Sequence, residues 1–197
     1  MRKLKYIFLV IISTSLIFSP SKSSEVCREK VIMLHDTLII NSESKDSFKQ
    51  NFDKLREINR DIFNYEKMIR IIYGRKWKDL SIEDKRRVGS KFLDFISYNY
   101  AKRFLNLKNA NFFEKDVEEI DTNNILVNTT LNVQGEEPLE ISYLCSKNSE
   151  DIWTIFDVIL NGSISEISTK KSDFSSIIKT EGLNGLINTL DSKIILD

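Results

Sequence analysis

Few side chains in this sequence could do chemistry. His35 is the single histidine, and Cys27 and Cys145 are the two cysteines. A zinc site needs three or four His, Cys or carboxylate ligands at set spacings, and His35 has no such set beside it. Cys27 and His35 could suggest thiol catalysis, but a chance neighbour is the plainer reading. The run Gly162-Ser163-Ile164-Ser165 lacks the second glycine of a nucleophile elbow. No phosphate-cradling or dinucleotide-binding glycine motif occurs. Asp157 lies in an apolar strand and invites an acid/base role. A buried carboxylate needs partners, so bonding to backbone groups near the Asn161 turn is the preferred reading. The expectation is a protein with no catalytic residue, no metal and no cofactor.

The elements that hold these residues read as helices, then strands, then helices. Residues 25–40 have a helix-compatible apolar pattern. Ser47 can cap a helix running to about Arg56, with Phe48, Phe52 and Leu55 on one stripe. A further helix over residues 61–73 stops at Gly74. Ser81 and Asp84 make an approximate capping box for a long helix in which Val88, Phe92, Ile96, Tyr100 and Phe104 recur every fourth residue. After residue 112 the period changes. A short strand is expected over 117–120. Strict alternation marks 125–133, then 139–145 with Leu139, Ile141, Tyr143 and Cys145 on one face, then 152–160. Asn161-Gly162 turns the chain into a helix that ends at Gly182, and a short amphipathic helix follows. Four sequential strands flanked by helices indicate an α+β fold with a four-stranded antiparallel meander.

Residues 1–23 read as an export signal: Arg2, Lys3 and Lys5, then an apolar run over 6–18, then the small residues of 20–24. That run is shorter than the ~20 residues a membrane-spanning helix needs. The remaining 24–197 suits one domain. Of 29 basic and 29 acidic side chains, the leader takes four basic ones, leaving 25 against 29 and a net charge near −4. That balance disfavours nucleic-acid binding, which needs a basic surface. Cys27 and Cys145 could pair in an oxidising compartment. Since sequence does not place them within reach of each other, two free, partly buried thiols are the leading expectation. Arg70, Arg75, Lys76 and Lys78 could face a phosphate or an acidic partner, or only solvate a helix end.

Two segments carry a resemblance. The first runs Ile69-x-x-x-Tyr73-Gly74-x-x-Trp77-x-x-Leu80-Ser81-x-Glu83-Asp84 and on through Val88, Phe92, Ile96 and Tyr100-Ala101. The second holds Trp153, Phe156, Asp157, Val158, Gly162 and Ser165. Together they resemble the L-G-x-x-W and W-x-V-Y-D-V-x-x-E-G-V-S blocks of the MlaC (toluene-tolerance) family, with Tyr73, Phe156, Asn161 and Ile164 as departures that keep shape or polarity class. The resemblance implies a curved four-stranded sheet covered by helices, with an apolar cavity between them. It also implies a monomeric, non-enzymatic periplasmic shuttle. Such a protein carries phospholipid between an outer-membrane lipoprotein complex and an inner-membrane MCE-type ABC transporter, maintaining outer-membrane asymmetry.

A phospholipid crossing water must hide its tails, at about 0.8 kcal/mol per CH₂, or on the order of 12 kcal/mol for a ~15-carbon chain. Among the chain's apolar positions, the helical ones assigned inward are Phe63, Ile69, Phe92, Phe95, Ile96, Tyr100 and Phe104. The strand ones are Val127, Leu131, Ile141, Tyr143, Phe156 and Val158, with Ile164 just beyond. By composition these fill a dry core; under the resemblance they become the lipid-binding wall. The alternatives are a hopanoid or isoprenoid carrier of the same broad family, and a small exported esterase.

Overall fold

A computed structural model describes residues 22–105, 107 and 109–196, so the export signal expected over 1–23 lies almost wholly outside the described residues. Helices α1 (Lys22–Glu43), α2 (Phe48–Ile62) and α3 (Tyr65–Tyr73), a 3-10 turn (Gly74–Asp79) and α4 (Ile82–Phe104) come first. Strands β1 (Ala110–Asp121), β2 (Asn124–Val133), β3 (Leu139–Lys147), β4 (Trp153–Leu160) and β5 (Ile164–Ser165) follow, then α5 (Glu166–Thr180) and α6 (Gly182–Ser192). The strands form one antiparallel sheet in sequential order. The class is α+β as expected, with a curved sheet. It has five strands rather than four, because the chain touches β4 once more through the two residues of β5 before entering α5.

Local chemistry explains most boundaries. Ser47 accepts from the Gln50 N–H while the Gln50 side chain accepts from the Ser47 N–H, a complete capping box for α2. Ser81 caps α4 by accepting from the Asp84 N–H. Asn161 and Gly162 both have positive φ (48° and 68°), and the Ser163 N–H donates to the Leu160 carbonyl across them, a tight turn of the kind that asparagine and glycine favour. Gly182 has φ 65° where α5 gives way to α6.

Two boundaries differ from expectation. The helix expected to end near Arg56 continues to Ile62, and the next begins only at Tyr65. Between them Phe63 bridges to Ile155, the Asn64 N–H donates to the Ile155 carbonyl at 2.8 Å, and the Asn64 side chain caps α3. The sheet thus interrupts what would otherwise be one helical run. Strand β1 is twelve residues long rather than four. It is an edge strand, mostly exposed and rich in charge (Glu114, Lys115, Asp116, Glu118, Glu119), as edges that resist further pairing tend to be. Its alternation is therefore invisible in hydropathy.

The drier sheet face is continuous. Ile125 lies opposite Cys145, Val127 opposite Tyr143, Thr129 opposite Ile141, and all six are buried. Helix α1 crosses this face, contacting β1, β2 and β4. It is fastened to β3 in two ways. Cys27 and Cys145 form a disulfide with Cα atoms 6.3 Å apart, which corrects the expectation of two free thiols: residues 118 apart in sequence meet only once helix and sheet pack. Two turns along, His35 Nε2 lies 2.9 Å from the Tyr143 hydroxyl while the His35 ring stacks on Phe112 at 3.7 Å.

Two outcomes follow from this seam. Replacing Cys27 and Cys145 together by serine, or reducing the bond, should lower unfolding free energy by about 2–5 kcal/mol, read as a drop in the urea midpoint. Burial lowers the His35 pKa from 6.5 to about 3. The unfolded chain therefore binds a proton that the folded one refuses, and stability is complete above pH 6.5 and declines as pH falls toward 3. The slope reaches at most about 1.4 kcal/mol per pH unit. His35→Gln should flatten the decline in midpoint between pH 7 and 4; an unchanged slope would show that other groups carry it.

Candidate functional site

Beyond the strip that α1 covers, the sheet meets α3, α4 and α5 without complete filling. A hollow of about 570 Å³, counted out to its open mouth, lies among them, and only about 60 Å³ of it is wide enough for the centre of a water molecule. Its walls are Phe63, then Met68 and Ile72 from α3, Phe92, Phe95, Ile96 and Tyr100 from α4, Val158 from β4 and Ile167 from α5. The lining is apolar at depth and polar at the rim, where Asn99, Arg103, Glu166 and Lys170 stand.

The walls are positioned by identifiable devices. The Phe63–Asn64 pairing with β4 brings the Phe63 ring to 5.6 Å from Tyr100. Phe95 packs edge-on against Phe174 of α5 at 5.8 Å. Asp157 sets α5: its carboxylate accepts from the Val158 and Ile167 N–H groups at 2.8 and 3.1 Å and from the Ser165 hydroxyl at 2.6 Å. Its backbone bonding therefore lies at the start of α5 and within its own strand, whereas the Asn161 side chain accepts from the Glu140 N–H instead. The Ser165 hydroxyl that donates to Asp157 also accepts from the Ser168 N–H as the cap of α5, so these contacts fix the start of that helix. Burial pushes the Tyr100 phenol above its ordinary pKa, the nearby Arg103 guanidinium opposing only in part. Tyr100 thus stays a neutral hydroxyl inside the hollow.

Six of the residues expected to bind lipid, Phe63, Phe92, Phe95, Ile96, Tyr100 and Val158, come together in this hollow. The rest lie elsewhere. Val127, Leu131, Ile141 and Tyr143 are buried on the drier face of the sheet, and Ile69 is fully buried in α3. Phe104 packs on Phe112 at 5.9 Å. Phe156 is the extra residue of a bulge, where the register jumps from Leu144–Asp157 to Cys145–Ile155. Its ring sits 3.3 Å beneath the Lys67 ammonium. Ile164 is 51% exposed at the turn into β5.

Sequence reasoning missed Met68, Ile72, Asn99, Arg103, Glu166, Ile167 and Lys170. Part of the signal was present. Asn99 and Arg103 continue the Phe92–Ile96 stripe of α4 at steps of three and four, so the stripe turns polar at its far end.

Outside the hollow, a broad groove is lined by Lys30, Arg60, Lys67, Arg70, Lys85, Arg86 and Lys147, against Asp61, Glu66 and Glu150. Ile82 and Ile152, 70% and 45% exposed, also border it. Desolvation lowers the pKa of Lys67, whose ammonium also donates to the Ser146 hydroxyl. Arg75, Lys76 and Lys78 are exposed on the 3-10 turn. Among the described residues no cluster of His, Cys, Asp and Glu could hold a metal, and no helix is long and apolar enough to cross a membrane.

Comparison with known proteins agrees with this architecture. A phospholipid-binding protein from Ralstonia solanacearum, solved in complex with a phospholipid, matches with a TM-score of 0.70 at 22% identity, covering 88% of this chain and 97% of that one. At that identity the likeness speaks for a shared fold. Curated proteins yield no match. The family model described as MlaC protein matches residues 34–192, most of the sequence, and the chain therefore belongs to the MlaC family.

Proposed function

We propose that this protein is a non-enzymatic phospholipid carrier that shelters acyl tails in the hollow between α3, α4, α5 and β4. It works in the periplasm, moving lipid between an outer-membrane lipoprotein complex and an inner-membrane MCE-type ABC transporter and so maintaining outer-membrane asymmetry. The observation that carries this reading is the hollow itself: an aromatic and aliphatic enclosure with one polar rim. Dry cores are packed as tightly as organic crystals, so space of this kind is retained for a ligand. The lipid complex of the Ralstonia protein on the same fold supports it.

Capacity can be compared with cargo. A methylene occupies about 30 Å³, close to water's share of the liquid, so one ~16-carbon tail fills roughly 480 Å³ and two fill twice that. The hollow as it stands leaves only about 60 Å³ for the centre of a water-sized sphere, far short of one tail, so the walls must part to admit any cargo. Helix α5 is the mobile wall in this reading, since it meets β4 through its first turn and is otherwise packed on other helices. The basic groove is the docking face: its excess of cations suits an acidic partner protein, and Ile82 and Ile152 supply exposed apolar contact.

Purified protein should carry phospholipid, identified by extraction and mass spectrometry; a hopanoid or isoprenoid in its place would decide for a carrier of that cargo. Ile96→Glu places a carboxylate in the apolar wall and should reduce lipid occupancy several-fold while thermal unfolding confirms a folded protein. Undiminished loading in that folded variant would refute the hollow as the site. Lys85→Glu with Arg86→Glu should slow lipid delivery to the partner complexes by about tenfold and leave retention unchanged. Loss of retention with normal delivery would move the docking face elsewhere.

A further inference from the structure

The rim of the hollow carries charge of both signs, in an arrangement its own ion pairs do not saturate. Both terminal nitrogens of Arg103 lie 3.4 Å from Glu166 Oε1. The Lys170 ammonium lies 3.8 Å from Glu166 Oε2 and 3.7 Å from Asp173 Oδ2. Well-made charged hydrogen bonds are about 2.7–2.9 Å long, so one carboxylate is stretched between two cations and satisfies neither. Glu166 and Lys170 are partly withdrawn from water, each side chain 21% exposed, while Arg103 is 55% exposed and free to swing. Arg103 and Lys170 come from opposite walls, α4 and α5, and flank the apolar bore.

Resting on the carrier reading, we infer that this rim is a headgroup site which reads a zwitterionic phospholipid: Arg103 and Lys170 take the phosphodiester, and Glu166 takes the ammonium. The tails run into the apolar wall, which leaves the phosphate at the depth where apolar lining gives way to charge. A phosphodiester oxygen placed between Arg103 and Lys170 relieves both of their long contacts to Glu166. The released carboxylate stays beside both cations, and the two-carbon link of an ethanolamine headgroup lets an ammonium reach it from a phosphate held there. The charges lining the rim, Arg103, Lys170 and Glu166, sum to +1, with Asp173 beside Lys170 just outside the lining, so the rim offers a cationic seat for a phosphodiester and one carboxylate for an ammonium. An anionic glycerol headgroup would leave Glu166 facing hydroxyls, and an uncharged diacylglycerol would leave the rim pairs as they are. Asp157 does not compete, because its carboxylate is occupied by Ser165, Val158 and Ile167.

The test is a competition. Delipidated full-length protein is incubated with vesicles holding equal amounts of phosphatidylethanolamine, phosphatidylglycerol and diacylglycerol of identical acyl chains, and bound lipids are counted by mass spectrometry. Wild type should take phosphatidylethanolamine over diacylglycerol. Arg103→Gln with Lys170→Gln should reduce that ratio about tenfold while diacylglycerol uptake holds, and Arg103→Lys should restore most of it. Glu166→Gln should erase the preference for ethanolamine over glycerol headgroups. Ratios in the two glutamine variants equal to wild type would overturn the headgroup site while leaving the carrier intact. Wild type that loads none of the three lipids would instead overturn the carrier reading, and the headgroup site with it.

Discussion

A meander with one dry face must cover that face, and how the cover is divided governs everything else in this protein. Helix α1 seals the strip over β2 and β3. The disulfide from Cys27 to Cys145 and the His35–Tyr143 contact hold it there, and the residues beneath, Val127, Ile141 and Tyr143 among them, are buried to a few per cent. Apolar burial stabilises by about 25 cal/mol per Å², so this strip is where the fold draws its stability. Helix α1 also meets β4, and the rest of that strand is left to α3 and α5, which together with α4 close over it imperfectly.

The imperfect half is held by polar contacts rather than by close packing. Asn64 fixes the start of α3 to Ile155, and Asp157 fixes the start of α5 to β4 through two hydrogen bonds. Contacts of this kind act at helix ends. They set where each helix begins without demanding that the space between the helices be filled. A seam made only of interlocking side chains would lose free energy for every void. One pinned at its corners can carry a hollow and still keep its walls in place.

The same division places chemistry. Apolar side chains of α4 line the bore through Phe92, Phe95 and Ile96, and the helix turns polar one turn later at Asn99 and Arg103. Charge is confined to the rim, where solvent can support it, and the depth holds only the neutral hydroxyl of Tyr100. Among the described residues no group of His, Cys, Asp and Glu could hold a metal; His35 packs between Phe112 and Tyr143, and Asp157 holds the start of α5.

Periodicity alone determined much of this. The four-residue stripe of α4, the alternation of β2 and β3, the serine caps at Ser47 and Ser81 and the Asn161-Gly162 turn are local patterns, and each element formed where its pattern said. The order of helices, strands and helices followed from them, and so did six of the residues that line the hollow. What depended on distant residues meeting was not legible. The break at Phe63–Asn64 exists because β4 pairs with it. Strand β1 forms because β2 templates a charged edge, and Phe156 leaves the strand alternation because of a bulge in its pairing with β3. Cys27 and Cys145 join because α1 crosses the sheet. Whether inward-facing aromatics fill a core or line a cavity is likewise a question of how closely helices approach a sheet, and hydropathy is blind to that distance.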